Sequence, residues 1–366
     1  MKSFNEVWRS KKSAAFELKE NSTSKETTLI DFWNQKRSVY TNANLSIYSA
    51  QECNARCPFC VEELRPSSRG VELHEQKRIE ENDEIYFSKM KQVLLTLKSL
   101  DPSTSLTGGE ISKDRRLPRI LRTLQDFGSR KRSLTTNGSG LLDLQEGRRV
   151  IDWIADTKVR HLNISLAHFD LQKSQNLMRY KLGPSIDDLK EIVRVAKAGG
   201  VRVRFSCILL KDEVDTIASI KKYLNFASEV GVDNVIFRQL MKTDPSSHLL
   251  NFVVRYSDQK RVLLEPILNE LHSDSEFKLS RQIMGYYYYV EVWKYHNIDV
   301  VFEEADLAQL ELSKKENSRI IHELVFHPNA MLSSTWQSWD GILGPWPENQ
   351  IAIEKTSKTT NLGAFL

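Results

Sequence analysis

A chain of 366 residues with 40% hydrophobic and 27% charged content can bury a large core, as two domains or as one domain with an extension. Its net charge of +4, from 52 basic and 48 acidic residues, gives no case for nonspecific nucleic-acid binding. Four cysteines over this length do not form a secreted disulfide framework, and no apolar run is long enough for a signal peptide or a membrane span, so the expectation is a cytoplasmic protein.

Residues 1–43 read as a polar N-terminal extension, with short helices expected over Phe4–Lys19 and Leu29–Arg37 and with Trp8 and Trp33 able to pack it onto the body. Residues 44–241 alternate between strand and helix patterns. Strands are expected at Leu45–Tyr48, Ser103–Thr107, Ser133–Thr136, His161–Leu166, Val201–Leu210 and Val232–Leu240. Between them, apolar residues at helical spacing mark helices; Ile186, Leu189, Ile192, Val193 and Ala196 give the clearest, stopped by Gly199-Gly200. Such alternation predicts parallel βαβ units with right-handed crossovers, here an α/β partial (β/α)6 barrel of TIM-like type. From 242 to 366 the pattern becomes a mixed α+β extension that binds substrate or caps the barrel. A helix is expected over Gln259–Leu271, strands at Tyr286–Trp293, Ile298–Phe302 and Ile320–Phe326, and a loose tail over 355–366.

In barrels and open sheets of this kind the active site lies at the C-terminal ends of the strands. Every polar motif of the alternating region sits there. Cys53-Asn54-Ala55-Arg56-Cys57-Pro58-Phe59-Cys60 follows the first strand, Gly108-Gly109-Glu110 the second, Thr135-Thr136-Asn137-Gly138 the third, and Ser165 ends the fourth. Three thiolates within eight positions can converge on one inorganic centre, but they are one ligand short of a tetrahedral zinc or a fully ligated four-iron cluster. Either a fourth protein ligand arrives from elsewhere, as in a structural zinc site, or one metal position stays open for chemistry. No cysteine or histidine lies within ten residues after Cys60, and Cys207 reads as a buried core residue.

The three-cysteine loop after a first strand, with Gly-Gly-Glu after the second, resembles the radical S-adenosylmethionine (SAM) enzymes over about residues 44–241. The resemblance implies that Cys53, Cys57 and Cys60 ligate a [4Fe-4S] cluster whose fourth iron chelates SAM. It implies further that reductive cleavage of SAM yields a 5′-deoxyadenosyl radical, which abstracts a substrate hydrogen, with flavodoxin or ferredoxin as electron donor. By the same resemblance Phe59 lies beside the adenine, Gly108, Gly109 and Glu110 meet the SAM ammonium group, and Ser165 bonds the ribose or carboxylate.

Within that family the motifs are similar to those of the GTP cyclase of molybdenum-cofactor biosynthesis, which implies that Thr136 and Arg204 face substrate or SAM and that Met241 sits near the adenosyl group. The departures are specific. Ser46 and Ser105 stand where that cyclase has phosphate-gripping arginines, no cysteine follows Cys207 to ligate a second cluster, and the glycine-rich tail is missing. The expectation is therefore SAM cleavage without the cyclase reaction, on a small molecule or nucleotide-like substrate. The alternatives are a maturase of a ribosomally made peptide and a structural zinc protein. Arg204, Arg238 and His327 are the candidate substrate-facing or catalytic side chains, with His168 and Asp170 as possible polar contacts.

Overall fold

The computed structural model describes residues 26–64, 79–128, 131–242, 252–284, 287–316 and 318–345. The helix expected over Phe4–Lys19 and the tail over 355–366 lie outside them. The strands, in chain order, are β1 (Thr27–Phe32), β2 (Gln35–Tyr40), β3 (Asn44–Tyr48), β4 (Ser103–Thr107), β5 (Arg132–Thr136), β6 (Leu144–Gln145), β7 (Arg148–Arg149), β8 (His161–Ser165), β9 (Arg202–Leu209) and β10 (Asn234–Gln239). They continue with β11 (Phe277–Met284), β12 (Tyr288–Tyr295), β13 (Ile298–Ala305), β14 (Ile320–Ile321), β15 (Leu324–Phe326), β16 (Leu332–Ser333) and β17 (Ile342–Gly344).

The six expected strands pair in parallel in the order β10-β9-β8-β5-β4-β3, the row of a βα-barrel. Helices connect them: Asp83–Thr96, Leu117–Asp126, Val150–Asp156, Ile186–Ala198 and Ile217–Val230. The row is longer than expected. β13 pairs in parallel with β10, and β15 in parallel with β3, so eight parallel strands run side by side. Antiparallel β12 and β11 extend one edge and antiparallel β16 and β17 the other, and among the described residues the two outer edges do not pair. Strands from beyond residue 241 thus build both margins of the same sheet, an arrangement local periodicity does not encode.

Local patterns explain the other differences. The helix expected over Leu29–Arg37 is instead the β1–β2 hairpin. Leu29 is exposed while Ile30 and Phe32 are buried, which is period two and not helical spacing. Trp33 and Asn34 turn the hairpin at positive φ. Trp33 packs against Gly344, where any Cβ would lie 2.4 Å from its ring. Gln259–Leu271 is not one helix: Phe252–Lys260 and Leu264–Leu271 are separate. The stretch Ile320–Phe326 splits between sheets, β14 joining the N-terminal hairpin and β15 the main sheet. Among the described residues no helix is long and apolar enough to cross a membrane.

The pleat separates two chemistries. On the helix-covered face Leu106, Leu134, Leu162, Val203 and Val235 are fully buried. The opposite face carries Ser105, Ser133, Thr135, Asn163, Ser165 and Ser206, joined by bonds such as Ser105 Oγ–Ser133 Oγ at 3.1 Å and Asn163 Nδ2 to Thr135 Oγ1 at 3.2 Å. Ser46 and Ser105 both hydrogen-bond to Asn44 in this lining. Burying an apolar side chain is worth roughly 1.5–3 kcal/mol, so the helix-covered face carries the stability and the polar face is left for binding. Leu162→Ala should therefore lower the unfolding free energy by about 2–5 kcal/mol, and Asn163→Ala on the other face by about 1 kcal/mol. Urea unfolding of the two variants measures this, and equal costs would contradict the division of labour.

Candidate active site

β3 ends against β4, with Ser49 N–H donating to the Thr107 carbonyl at 2.8 Å and Ser49 Oγ to Asp114 Oδ2 at 2.5 Å. The chain then leaves as the cysteine loop. Ala55 and Phe59 are buried in a small cluster with Ala167, Met178, Tyr180 and Leu240, and Arg56 N–H donates to the Met178 carbonyl at 3.1 Å. Cys57 Sγ lies 3.5 Å from the same carbonyl. The loop thus rests on the C-terminal end of helix Leu171–Met178, which the sequence reading missed because only Ser174 and Met178 of its residues are buried and no apolar stripe marks it. Asp170 caps that helix through Lys173 N–H at 3.0 Å and receives no other role, and buried His168 accepts the Asp170 N–H at Nδ1.

Gly108 and Gly109 both have positive φ, +86° and +48°. A Cβ on Gly109 would sit 1.7 Å from the Gln51 carbonyl oxygen, and one on Gly108 would sit 2.6 Å from the Tyr48 ring. Glycine is thus demanded twice, by conformation and by the close approach of the cysteine loop. Glu110 is 1% exposed. Its Oε1 accepts from Ser112 N–H at 3.0 Å, Ser112 Oγ at 2.6 Å and Thr136 Oγ1, and its Oε2 accepts from Asn137 N–H at 2.7 Å. Thr136 in turn accepts from Gly138 N–H at 2.9 Å. Asn137 Nδ2 donates to Asn54 Oδ1 at 2.8 Å and lies 4.0 Å from Cys53 Sγ. The second and third strand-end loops are locked together by Glu110, and Asn137 ties the pair to the cysteine loop.

These loops surround a cavity of about 400 Å³. Cys53, Cys57, Cys60 and Phe59 line it, as do Gly108, Gly109, Glu110, Thr136, Ser165 and Met241. Of the three candidate substrate-facing side chains only Arg238 does. Arg204 lies deeper along β9 and donates through Nε to Asn234 Oδ1. Burial, then neighbouring Arg238, push its pKa down to about 10. His327 is buried, with Nε2 at 3.0 Å from Ser333 Oγ and 3.1 Å from the Thr335 carbonyl, and it backs the Tyr48 ring from outside the cavity. Sequence reasoning also missed Glu62, which lines the mouth and bonds the Tyr48 hydroxyl, and Glu303 on β13.

The three free cysteines bring thiol donors of a kind that serves zinc and iron–sulfur centres alike. Among the described residues no three Cys, His, Asp or Glu groups are arranged to hold one metal ion. Burial raises the pKa of Cys53, and burial with the neighbouring cysteines raises that of Cys57.

Residues 47–226 match the Radical SAM superfamily model. A GTP 3′,8-cyclase of Agrobacterium fabrum is 25% identical over 200 residues, 54% of this chain and 51% of that protein. A probable GTP 3′,8-cyclase of Sulfurisphaera tokodaii is 25% identical over 224 residues, 61% of this chain and 64% of the relative. The matched stretch thus spans between about half and two thirds of these relatives. Among solved structures, Streptococcus suis SuiB bound to precursor peptide SuiA is 20% identical over 55% of this chain and 40% of that one, with a TM-score of 0.40. Another, anSMEcpe with bound AdoMet, is 17% identical over 53% and 50%, with a TM-score of 0.36. The cysteine loop, the Gly108-Gly109-Glu110 turn and the parallel strand row agree with the family match: the chain carries a domain of the radical SAM superfamily over residues 47–226.

Proposed function

We propose that this protein is a radical SAM enzyme acting on a small molecule or nucleotide-like substrate. The observation that carries the reading is the meeting of Cys53, Cys57 and Cys60 with the Gly108-Gly109 turn around one cavity at the C-terminal ends of the parallel strands. The three thiolates would hold a [4Fe-4S] cluster, and the backbone of Gly108 and Gly109 would lie against the SAM ammonium group. Glu110 has a different part in this reading: its carboxylate already takes four donors, so it fixes the two loops that receive SAM. Thr136 serves the same lock. Phe59 offers an apolar wall for adenine, and Ser165 and Met241 border the remaining space.

When bound, the cluster supplies the electron that cleaves a carbon–sulfur bond of SAM and so generates the hydrogen-abstracting 5′-deoxyadenosyl radical. The chain's own task is to hold the substrate hydrogen close and keep water away. Leu166, Ala167, Ile208 and Leu240 supply apolar walls for that purpose. The serines at 46 and 105, bonded to Asn44, offer no fork for a triphosphate, which sets the substrate apart from that of the GTP cyclases.

Anaerobically reconstituted protein is expected to bind four irons per chain and to form 5′-deoxyadenosine from SAM under dithionite. Retained zinc without iron, or no 5′-deoxyadenosine, would overturn the reading. Cys57→Ala is expected to reduce 5′-deoxyadenosine formation to background. Asn137→Ala, which loosens the tie between Cys53 and the third strand-end loop, should cost roughly 10–100-fold, the usual range for groups that support metal ligands. Gly109→Ala should abolish cluster loading while Gly128→Ala, with nothing within 4 Å of the added Cβ, leaves it intact. Iron content after reconstitution separates the two glycines.

A further inference from the structure

The cavity wall farthest along the strand row from the cysteine loop is made by β10 and β13, both beyond the matched domain. Arg238 and Glu303 are register partners there and both line the cavity. Arg238 Nε donates to Glu303 Oε1 at 2.9 Å, and Nη1 donates to Ser206 Oγ at 2.7 Å. The side chains are 30% and 26% exposed, so the pair is half-buried and still presents atoms to the cavity. Among the described residues, Arg238 Nη2 and Glu303 Oε2 have no hydrogen-bond partner. In a guanidinium, Nη2 shares an edge with Nε, the atom that holds the carboxylate. One charged donor and one charged acceptor therefore stand side by side, with apolar Met241 and Ala305 also on the lining.

We infer that Arg238 and Glu303 bind the edge of a cyclic amide in the substrate, a lactam or imide ring of the kind found in nucleobases. This assignment rests on the radical SAM reading of the same cavity. The carbonyl oxygen of such a ring accepts from Nη2 and its ring N–H donates to Oε2. In a ring the amide is cis, so C=O and N–H leave from the same edge and meet both partners at once. A peptide bond is trans, and its C=O and N–H point to opposite sides. A phosphate would satisfy the arginine but bring like charge against Glu303, at a pair whose own charges cancel. Hydrogen bonds to charged groups are the strong ones, and a site built around them rejects analogues that leave a buried partner unpaired.

Uridine and guanosine, whose rings carry the cis amide, test this on the reconstituted protein by saturation-transfer NMR with titration. 3-Methyluridine, which lacks the ring N–H, inorganic triphosphate and the trans amide N-acetylglycine N-methylamide serve as contrasts. At least one of the two nucleosides is expected to bind, more tightly than every contrast probe. Its affinity should fall about 10–100-fold in Arg238→Met and in Glu303→Gln, the loss expected for a charge-assisted bond. The isosteric Glu303→Gln keeps the side-chain volume, and thermal unfolding checks that both variants fold. Absence of binding by both nucleosides, equal binding of uridine and 3-methyluridine, or affinity unchanged in both variants would overturn the assignment, and tighter binding of N-acetylglycine N-methylamide would point to a peptide instead. 5′-Deoxyadenosine formation by the wild type, measured without any nucleoside, reports separately on the radical SAM reading.

Discussion

One buried carboxylate holds the candidate site together. Glu110 lies almost wholly out of water and accepts from a backbone N–H and a hydroxyl of its own loop, and from a hydroxyl and a backbone N–H of the next. A buried charge is tolerated only when its lone pairs are met, and removing one donor leaves a penalty larger than the bond itself was worth. The consequence is geometric. The loops after β4 and β5 cannot move independently, and the Gly109 turn, pressed against the Gln51 carbonyl, leaves room for no side chain. The cysteine loop is then trapped between this turn and the end of helix Leu171–Met178, where Arg56 N–H and Cys57 Sγ both approach the Met178 carbonyl. Three thiols on an irregular loop acquire fixed positions because structures on both sides of them are rigid.

The polar inner face of the sheet gives the cavity its second character. Serines, threonines and Asn163 bond to one another across β4, β5 and β8, while the charged groups lie on the later strands. Arg204 sits low, held to Asn234, and Arg238 sits at the rim, held to Glu303. The rim pair exists only because β13 returns to lie beside β10. The charged pair on the cavity wall is thus supplied by strands outside the matched domain, and the cysteine and glycine loops by segments inside it.

The strand-end motifs were legible because each depends on local chemistry. Period-two strands, helical stripes closed by glycine and three cysteines within eight residues are all short-range signals, and Cys207 proves as buried as its place in a strand suggests. Glycine at 108 and 109 was legible as a site for the same reason, although the Gln51 contact that demands it was not. The β1–β2 hairpin and helix Leu171–Met178 were local misses, and the rest of what escaped was long-range. No window of sequence shows that Ile298–Ala305 joins β10, so neither the eight-strand row nor Glu303 could be read. His327, a candidate substrate-facing side chain by sequence, is not on the cavity lining but is buried against Ser333 and Thr335, contacts that no local pattern shows. Nor could any window show that four donor bonds converge on Glu110 from positions up to 27 residues away.

The proposed function depends on SAM occupying the open coordination position of a cluster that Cys53, Cys57 and Cys60 would hold. Electron paramagnetic resonance of the reconstituted, reduced protein, recorded with and without SAM, examines that bond directly. The expected result is the signal of a reduced four-iron cluster whose g values shift when SAM is added, because the ligand binds iron itself. A cluster spectrum indifferent to SAM, or no cluster signal from fully reconstituted protein, would contradict it.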